Sequence, residues 1–224
     1  MNLLEAIEKR HSVRQYTDKK IKGNIEKELL SFISEVNKES GLNIQLCLND
    51  SEAFNSGIFT KLGNFKGAEN YIAIIGKKSE DLDEKTGYFG EKIVLKATQL
   101  GLNTCWVALT FNKGKVKALV KEDEKLVITI VIGYGVNDGN SHRVKPLEKL
   151  YSVNGEIPNW FKNGVKAAQL APTARNQQKF KFNLINDSLV EVKTSFGFFN
   201  KVDIGIAKYH FEIGADSNDW KWKS

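Results

Sequence analysis

Apolar residues recur at helical spacing in several segments of the chain. The pattern predicts helices over residues 2–10, 24–38, 86–101, 160–170 and 201–214. Residues that start or stop helices flank most of these segments, which sharpens their bounds. Because each helix carries an apolar stripe that other apolar residues must cover, the pattern predicts a layered globular fold.

Shorter apolar runs predict the strands. Tyr71–Gly76 and Leu126–Gly133 are continuous apolar runs, as is typical of buried strands. Asn43–Leu48 alternates between apolar and polar residues, and residues 181–185 and 189–193 flank a short turn, which indicates a hairpin. Strands interleaved with helices indicate an α/β or α+β arrangement of layers.

The remaining segments are polar and form the connections. Residues 49–67 are rich in Asn, Ser and Gly, so we expect an irregular loop there, and we expect a short helix around residues 113–120. Residues 152–158 are the best linker candidate, and the tail around Trp220 and Trp222 has no clear pattern. The chain has 224 residues, which fits one large domain or two small ones.

Charge narrows the range of partners without choosing one. Lys and Arg number 33 against 27 Asp and Glu, so the formal net charge is +6. This charge favours an anionic partner, such as a phosphate-bearing cofactor or a nucleic acid. The sequence contains neither a basic helix nor an RNP-like aromatic strand, so we expect no nucleic acid. Hydrophobic residues make up 41% of the chain, which excludes a disordered protein.

The cysteine, histidine and hydropathy patterns argue against a disulfide-rich, metal-binding, secreted or membrane protein. Cys47 and Cys105 lie far apart and the histidines lack the spacing of a metal site, so we expect neither a disulfide framework nor a metal centre. Cys105, beside Trp106, is interpreted as a small buried side chain and not as a nucleophile. No signal-peptide core and no apolar stretch of about 18 residues occurs, so we expect a cytoplasmic protein without membrane contact.

Two polar motifs could carry chemistry. Arg10, Ser12 and Arg14 follow the first helix, and two guanidinium groups that flank a hydroxyl suit a phosphate. The alternative is a solvated basic turn. Residues 171–178, with the sequence APTARNQQ, offer amide and hydroxyl groups that could contact the edge of a heterocycle. The alternative for this segment is a loop whose polar groups cap one another.

Four segments together resemble the FMN-dependent nitroreductase family. RHSVRQY is similar to the RxSxR signature of that family, GLNTCW to its helix end and loop under the flavin, and HRVKPLEKL to its closing basic segment. APTARNQQKFKF is similar to the APSxxNxQPWxF signature, with Thr173 in place of Ser, Gln178 in place of Pro and Lys179 in place of Trp. The resemblance implies a nitroreductase-like α+β fold with three layers, α/β/α.

The order of the motifs departs from that of ordinary family members. In those members the Asn-Gln signature precedes the GLxxxW helix, whereas here it follows the closing segment, at residues 171–178. Ordinary members are dimers whose flavin sites draw on both subunits. The order here resembles the single-chain, pseudo-dimeric subgroup, which implies two fused, trimmed nitroreductase-like halves, residues 1–151 and 152–224. The long helices at 88–101 and 201–214, which both end at glycine, would then correspond to each other.

The resemblance implies one complete FMN site, in a monomer or a homodimer, and assigns its residues by match. Arg10 and Ser12 are expected to hold the FMN phosphate with a backbone contact from His11, and Arg14 to lie near the ribityl chain and the pyrimidine edge. A cation at that edge would stabilise the anionic reduced flavin. In the closing segment, Arg143 and Lys145 are expected to add positive charge near the phosphate. In the Asn-Gln signature, the residues expected to contact the flavin ring or the ribityl chain are Pro172, Thr173 and Asn176.

The implied reaction is a ping-pong redox cycle. NADH or NADPH passes a hydride to flavin N5 and leaves, and a nitroaromatic or quinone-like small-molecule acceptor then takes the electrons. The backbone amides expected near N5 are those of Val107, Ala108 and Leu109. Because the flavin carries out the chemistry, we expect no catalytic side chain. The alternatives are a flavin-binding protein without reductase turnover and a flavin-modifying or dehalogenating relative.

Overall fold

Helices and strands alternate along the chain. The computed structural model describes residues 1–55, 61–217 and 219–223. The helices are α1 (Leu3–Lys9), α2 (Asn24–Ser40), α3 (Glu52–Asn55), α4 (Leu82–Gln99), α5 (Asn159–Gln169) and α6 (Asn200–Ala215). The strands are β1 (Asn43–Cys47), β2 (Tyr71–Lys77), β3 (Asn103–Val107), β4 (Glu124–Gly133), β5 (Tyr151–Val153), β6 (Phe180–Leu184), β7 (Leu189–Thr194) and β8 (Lys221–Trp222). The helices predicted from apolar spacing are confirmed as α1, α2, α4, α5 and α6, and no described helix is long and apolar enough to span a bilayer.

The chain divides into two compact units. The first unit comprises Lys9–Leu82 and Lys92–Ser141, and the second comprises Met1–Glu8, Asp83–Glu91 and His142–Ser224. Helix α4 contributes residues to both units, so these bounds differ from those of the two halves expected from the motif order. The origin of the chain from two fused halves therefore stays a prediction.

The first unit is built on an antiparallel sheet with the strand order β1-β2-β4-β3. Strand β2 is buried at every position from Tyr71 to Gly76, and β4 is buried from Val127 to Gly133, as the continuous apolar runs predict. These two strands pair with each other in the middle of the sheet, with Tyr71 opposite Val131. Because both faces of a central strand are covered, its sequence shows no alternation of polar and apolar residues.

The second unit contains a mixed sheet with the strand order β5-β6-β7-β8. Strands β6 and β7 form the predicted hairpin, and the Asn186 side chain caps its turn by accepting hydrogen bonds from the Ser188 and Leu189 amides. The tail around Trp220 and Trp222 forms β8, which pairs in parallel with β7. The indole of Trp220 stacks on Trp160, with ring centroids 5.7 Å apart, so the tail helps to close an aromatic core.

Helices α4 and α6 approach closely within the second unit, through glycines on both helices. A Cβ atom on Gly87 would lie 2.0 Å from the Val202 carbonyl oxygen, and one on Gly205 would lie 2.0 Å from the Glu84 carbonyl oxygen. Each glycine thus contacts the carbonyl three residues before the other glycine. This reciprocity is what a local two-fold relation between two helices produces.

Three expectations for the connecting segments need correction. Only Lys113–Lys115 form a 3-10 turn where a helix over residues 113–120 was expected. The segment after it is held against β1, because Gln45 donates to the Leu119 carbonyl and accepts from the Leu119 amide. The expected linker begins as strand β5, whose backbone pairs with the edge of β6. Helix α3 lies within the expected loop at 49–67, of which residues 56–60 fall outside the described part of the chain.

Candidate functional site

The segment after α1, which carries the first motif, is extended and held in place by its backbone. The Val13 amide donates to the Thr104 carbonyl at 3.0 Å, beside the edge strand β3. The Tyr16 amide donates to the Lys66 carbonyl at 2.9 Å, and the Lys66 amide donates to the Arg14 carbonyl at 2.9 Å. The Val13 side chain is buried in the core of the first unit and anchors the segment from below. These contacts immobilise the backbone that carries the polar side chains.

The extended backbone brings Arg10, Ser12 and Arg14 together around one buried thiol. Cys105 is only 2% exposed, and burial raises the pKa of its thiol. The charges of Arg14 and Arg10 and the Ser12 hydroxyl act on this pKa in the opposite direction. A buried thiol with a raised pKa is a poor nucleophile, so Cys105 has the features of a structural cysteine.

The three polar side chains differ in exposure. Ser12 and Arg14 are exposed, whereas Arg10 is only 5% exposed and His11 is half-buried. Arg10 and His11 line a cavity of about 70 Å³ together with Lys9, Asn103 and Asp138. Burial and the neighbouring Arg10 charge lower the pKa of His11, which keeps this imidazole neutral near pH 7. The segment therefore presents a hydroxyl and a guanidinium outward, backed by a second guanidinium.

The glycine-rich segment at residues 133–139 supports the first motif from behind, a role that sequence reasoning missed. A Cβ atom on Gly139 would lie 2.9 Å from the Cβ of His11. The Gly135 amide donates to the Asn103 side chain at 2.9 Å, which ties this segment to β3. The glycines are needed because the two backbones pass too close for larger side chains. The sequence signal was the run of glycines itself, which matches no nucleotide-binding fingerprint.

The segment that follows β3 offers backbone donors. The Val107 carbonyl accepts a hydrogen bond from the Thr129 hydroxyl at 3.1 Å, which fixes the end of the strand. Within the described ranges, the amides of Ala108 and Leu109 donate to no backbone or side-chain acceptor. Leu109 is exposed and Ala108 is half-buried. Amides without an internal acceptor are available to a ligand.

The second motif forms a turn with unusual backbone angles in the second unit. Residues Ala174–Asn176 make a single 3-10 turn, and Arg175, Asn176 and Gln178 have φ angles of 53°, 53° and 43°. Non-glycine residues adopt this left-handed region at a cost in free energy, so the surrounding contacts must hold them there. Positive φ values concentrated in one polar turn are typical of a functional site.

Gln178 is the centre of the hydrogen bonds that hold this turn, and it is only 2% exposed. Its side-chain oxygen accepts from the Lys145 amide at 2.9 Å, and its side-chain nitrogen donates to the Arg143 carbonyl at 2.8 Å. The same nitrogen donates to Asn176 Oδ1 at 2.7 Å, and the Gln178 amide donates to the Thr173 hydroxyl oxygen at 3.1 Å. The residue that replaces proline in the family signature therefore ties the turn to the closing segment.

The closing segment and the turn thus lie together. Asn176 Nδ2 donates to the Arg143 carbonyl at 2.8 Å, and Lys145 Nζ donates to the Gln178 carbonyl at 2.6 Å. The ammonium group of Lys145 is therefore engaged with the turn, whereas the Arg143 side chain is exposed. Of the two basic residues in this segment, Arg143 is the one whose charge is directed to solvent.

A buried carboxylate beneath the turn was missed by the sequence reasoning. Asp203, in the first turn of α6, is 5% exposed. Its Oδ1 accepts from the Ala174 amide at 2.9 Å, and its Oδ2 accepts from Gln177 Nε2 at 2.7 Å. Burial raises the pKa of Asp203 to about 6, although both hydrogen bonds lower it. The available signal was a carboxylate flanked by the apolar residues Val202 and Ile204.

The loop before α6 lies against the same turn. Gln177 Nε2 also donates to the Phe198 carbonyl at 2.9 Å, and Lys179 Nζ donates to the Phe196 carbonyl at 2.7 Å. The Phe196 side chain is 94% exposed and that of Phe198 is 69% exposed. The backbone of this loop is thus fixed by two side chains of the motif, while its aromatic rings face solvent.

His210 has a structural role. It forms a buried pair with Glu91 at 2.9 Å, and its Nδ1 lies 3.1 Å from the Ala167 carbonyl oxygen. Both ring nitrogens are therefore occupied by protein groups. Among the described residues, no group of three or more His, Cys, Asp or Glu side chains is arranged to hold a metal ion.

Comparison with known proteins identifies similar sequences and folds. The family model described as "Putative TM nitroreductase" matches residues 2–215. A "putative nitroreductase" from Thermotoga maritima is 24% identical, with a TM-score of 0.69 over 96% of this chain and 83% of that chain. Another from Desulfovibrio desulfuricans, solved in complex with FMN, is 20% identical, with a TM-score of 0.54 over 70% of this chain and 99% of that chain.

A third similar structure comes from Exiguobacterium sibiricum and was also solved in complex with FMN. It is 14% identical, with a TM-score of 0.53 over 66% of this chain and 95% of that chain. No curated protein matches the sequence. At these identities the likeness concerns the fold, and it confirms the predicted nitroreductase-like α+β fold.

Proposed function

Because the chain belongs to the nitroreductase family, whose model matches residues 2–215, we propose that it is an FMN-dependent oxidoreductase. Membership in this family makes the protein an oxidoreductase enzyme, and the cofactor, the electron donor and the acceptor are the proposed parts. The donor is NADH or NADPH, and the acceptor is a small nitroaromatic or quinone-like molecule. The observation that carries the proposal is the grouping of Arg10, Ser12 and Arg14 on one extended segment whose backbone is immobilised.

The donor set of the first motif fits the phosphate of FMN. The Ser12 hydroxyl and the Arg10 guanidinium supply hydrogen-bond donors and positive charge to a dianionic phosphate. Ser12 is exposed, so its hydroxyl is accessible to the phosphate, and Arg10 adds its charge from a buried position. Since Val13 locks the backbone, little conformational entropy is lost when the phosphate binds.

The turn at residues 172–178 fits the polar edge of the flavin and the ribityl chain. Asn176 uses one of its two N–H groups on the Arg143 carbonyl and receives one hydrogen bond from Gln178, which leaves an N–H group and a lone pair for a ligand. The Thr173 hydroxyl oxygen accepts from Gln178, and its proton is available to donate. Pro172 lies beside these groups in the sequence and lacks an amide hydrogen.

Bound FMN would supply the redox chemistry, namely a ring that can take up a hydride and pass electrons to the acceptor. The protein contributes position and charge. The amides of Ala108 and Leu109, beside Val107, are the donors that we assign to N5, and the Arg14 guanidinium is assigned to the pyrimidine edge, where it stabilises negative charge. Lys145 and Arg143 add positive potential near the turn, and His11 adds a backbone contact. No side chain of the chain needs to transfer a proton in this scheme.

The first test is FMN binding by the purified protein, followed by visible absorption and by quenching of flavin fluorescence. We expect a bound oxidised-flavin spectrum that bleaches when NADH or NADPH is added without oxygen. Arg14→Ala should weaken FMN binding about tenfold or more, because a charge-assisted contact is lost. Lys22→Ala removes the same charge from an exposed position of the same unit and should leave Kd within about twofold. Failure of the wild-type protein to bind FMN would contradict the proposal.

Riboflavin separates the phosphate contacts from the ring contacts, because it lacks the phosphate. Ser12→Ala should weaken FMN binding and leave riboflavin binding unchanged. Asn176→Ala should weaken both ligands by a similar factor, because its target is the ring or the ribityl chain. If Ser12→Ala affected riboflavin as strongly as FMN, the assignment of the first motif to phosphate would be wrong.

A further inference from the structure

Asp203 joins the turn of the second motif to a rigid helix. Its two carboxylate oxygens each accept one hydrogen bond, from the Ala174 amide and from Gln177 Nε2. Asp203 itself lies in the first turn of α6, where its own amide donates to the Phe199 carbonyl at 2.9 Å. Helix α6 packs against α4 through Gly205, so the position of the carboxylate is fixed by the core of the second unit. The turn therefore takes part of its geometry from α6.

The turn needs such support, since it holds Arg175, Asn176 and Gln178 at positive φ. Gln178 holds the side of the turn that faces the closing segment, through the Lys145 amide and the Arg143 carbonyl. Asp203 holds the other side, through the Ala174 amide and the Gln177 side chain. Loss of the Asp203 contacts would free the Ala174 amide and the Gln177 side chain, and the strained backbone at Arg175 and Asn176 would relax.

We propose that Asp203 is a positioning residue for the flavin: its ionised carboxylate holds residues 173–178 in the conformation that receives FMN, and its protonation releases this turn. The proposal rests on the proposed FMN-binding function. A neutral carboxylic acid presents an O–H group on one side, so it cannot accept from both N–H donors as the carboxylate does. Asp203 touches no reacting atom in this role, because it acts through Ala174, Gln177 and the turn.

The surroundings of Asp203 place this titration in an accessible range. Burial raises the pKa of Asp203 to about 6, and only the hydrogen bonds from Gln177 and Ala174 oppose the rise. Lys179 is engaged with the Phe196 carbonyl, and Lys208 is paired with Glu84. Charged residues of the described segments next to Asp203 include Arg175 and Lys179 in and after the turn, Lys201 and Lys208 on α6, and Glu84 on α4, which packs against α6 at Gly205. No charged neighbour contributes to the shift, so burial controls it.

The first arm of the test needs no flavin. Amide hydrogen exchange is measured at pH 7.5 on the flavin-free wild-type protein, on Asp203→Ala, which removes both acceptor oxygens, and on the control Asp187→Ala. Asp187 lies exposed in the β6–β7 turn. We expect the Ala174 amide to exchange about tenfold faster or more in Asp203→Ala, with unchanged exchange in β6 and β7. Equal protection of the Ala174 amide in the wild-type protein and in Asp203→Ala would overturn the proposal.

The second arm measures FMN binding at pH 7.5 and pH 5.0 for the wild-type protein and for Asp203→Asn, which is permanently neutral. The phosphate of FMN and His11 titrate in both proteins, so the ratio of the two Kd values isolates Asp203. At pH 5.0 about one tenth of Asp203 is ionised, so the ratio of variant to wild-type Kd should fall about tenfold between pH 7.5 and pH 5.0. A purely structural role predicts a ratio that does not change with pH.

The two arms separate the possible failures. A ratio that stays constant with pH, in a protein that binds FMN, overturns the positioning role while the proposed function stands. A wild-type protein that does not bind FMN at pH 7.5 contradicts the proposed function, and the exchange of Ala174 then still decides whether Asp203 holds the turn. If Asp203→Ala does not fold, the exchange comparison is made with Asp203→Leu, which also removes both acceptor oxygens but keeps a side chain of similar shape.

Discussion

Burial of the Asp203 carboxylate should cost folding stability at neutral pH, and Asp203→Asn should reveal this cost. The carboxyl group has an ordinary pKa of 3.8 when unfolded and a pKa of about 6 in the folded protein. A difference of about two units corresponds to about 3 kcal/mol between the protonated and ionised forms. Ionisation of Asp203 is therefore less favourable in the folded protein than in the unfolded chain, by about 3 kcal/mol.

The sign of the pH dependence follows from which state binds the proton. Between about pH 4 and pH 6 the folded protein holds a proton on Asp203 that the unfolded chain has lost, so the contribution of Asp203 to stability falls as pH rises. The protonated Asp203 makes its full contribution to the free energy of unfolding well below pH 3.8, and most of this contribution is lost by about pH 6. Asn at this position does not titrate and shows no such change.

Urea unfolding at a series of pH values from 4.0 to 7.5 tests this prediction. The free energy of unfolding of Asp203→Asn, minus that of the wild-type protein, should increase by about 2–2.5 kcal/mol across this range, mostly below pH 6. Subtraction removes the titration of the other carboxylates, which both proteins share. The variant Asp187→Asn should give a nearly constant difference. A constant difference for Asp203→Asn as well would show that this carboxyl group has an ordinary pKa, and the argument from burial would be wrong.

Three further changes test the fold and the turn. Gly205→Ala should lower the free energy of unfolding by about 1–3 kcal/mol or more, because its Cβ would lie 2.0 Å from a carbonyl oxygen of α4. In the same thermal melt the control Gly114→Ala should have little effect, because the nearest atom to its Cβ lies 3.5 Å away. Gln178→Pro restores the residue of the family signature but should destabilise the protein by about 3 kcal/mol in urea, because proline cannot adopt the φ of 43° and the side-chain hydrogen bonds are lost. With Cys47 replaced by Ser, the thiol of Cys105 should react with Ellman's reagent only as the protein unfolds, and rapid labelling of the folded protein would contradict its burial.

The local pattern of the sequence predicted much of the secondary structure. Helices with a clear apolar stripe, such as α2 and α4, and strands made of continuous apolar runs, such as β2 and β4, lie where the pattern places them. Such elements are determined locally, because the spacing of apolar residues reports which face must be buried. The segment at residues 113–120 did not follow its local pattern, since Gln45 of a distant strand captures the backbone of Leu119.

The polar motifs were also visible in the sequence, but their supports were not. Arg10, Ser12 and Arg14 share one side of the chain because the segment is extended, and that extension depends on pairing with β3 and with Lys66. The role of the glycine-rich segment at residues 133–139 depends in the same way on a close approach of two distant backbones.

The sequence by itself determined the family and the apolar elements, and it predicted the polar residues that we assign to FMN. Only the tertiary structure decided how those residues are held. Gln178 and Asp203 act on the turn through contacts with Lys145 and Ala174, residues 33 and 29 positions away in the chain. Hydrogen bonds and burial depend on distances in space, so a linear pattern that reports only local periodicity cannot identify a buried carboxylate beneath a turn.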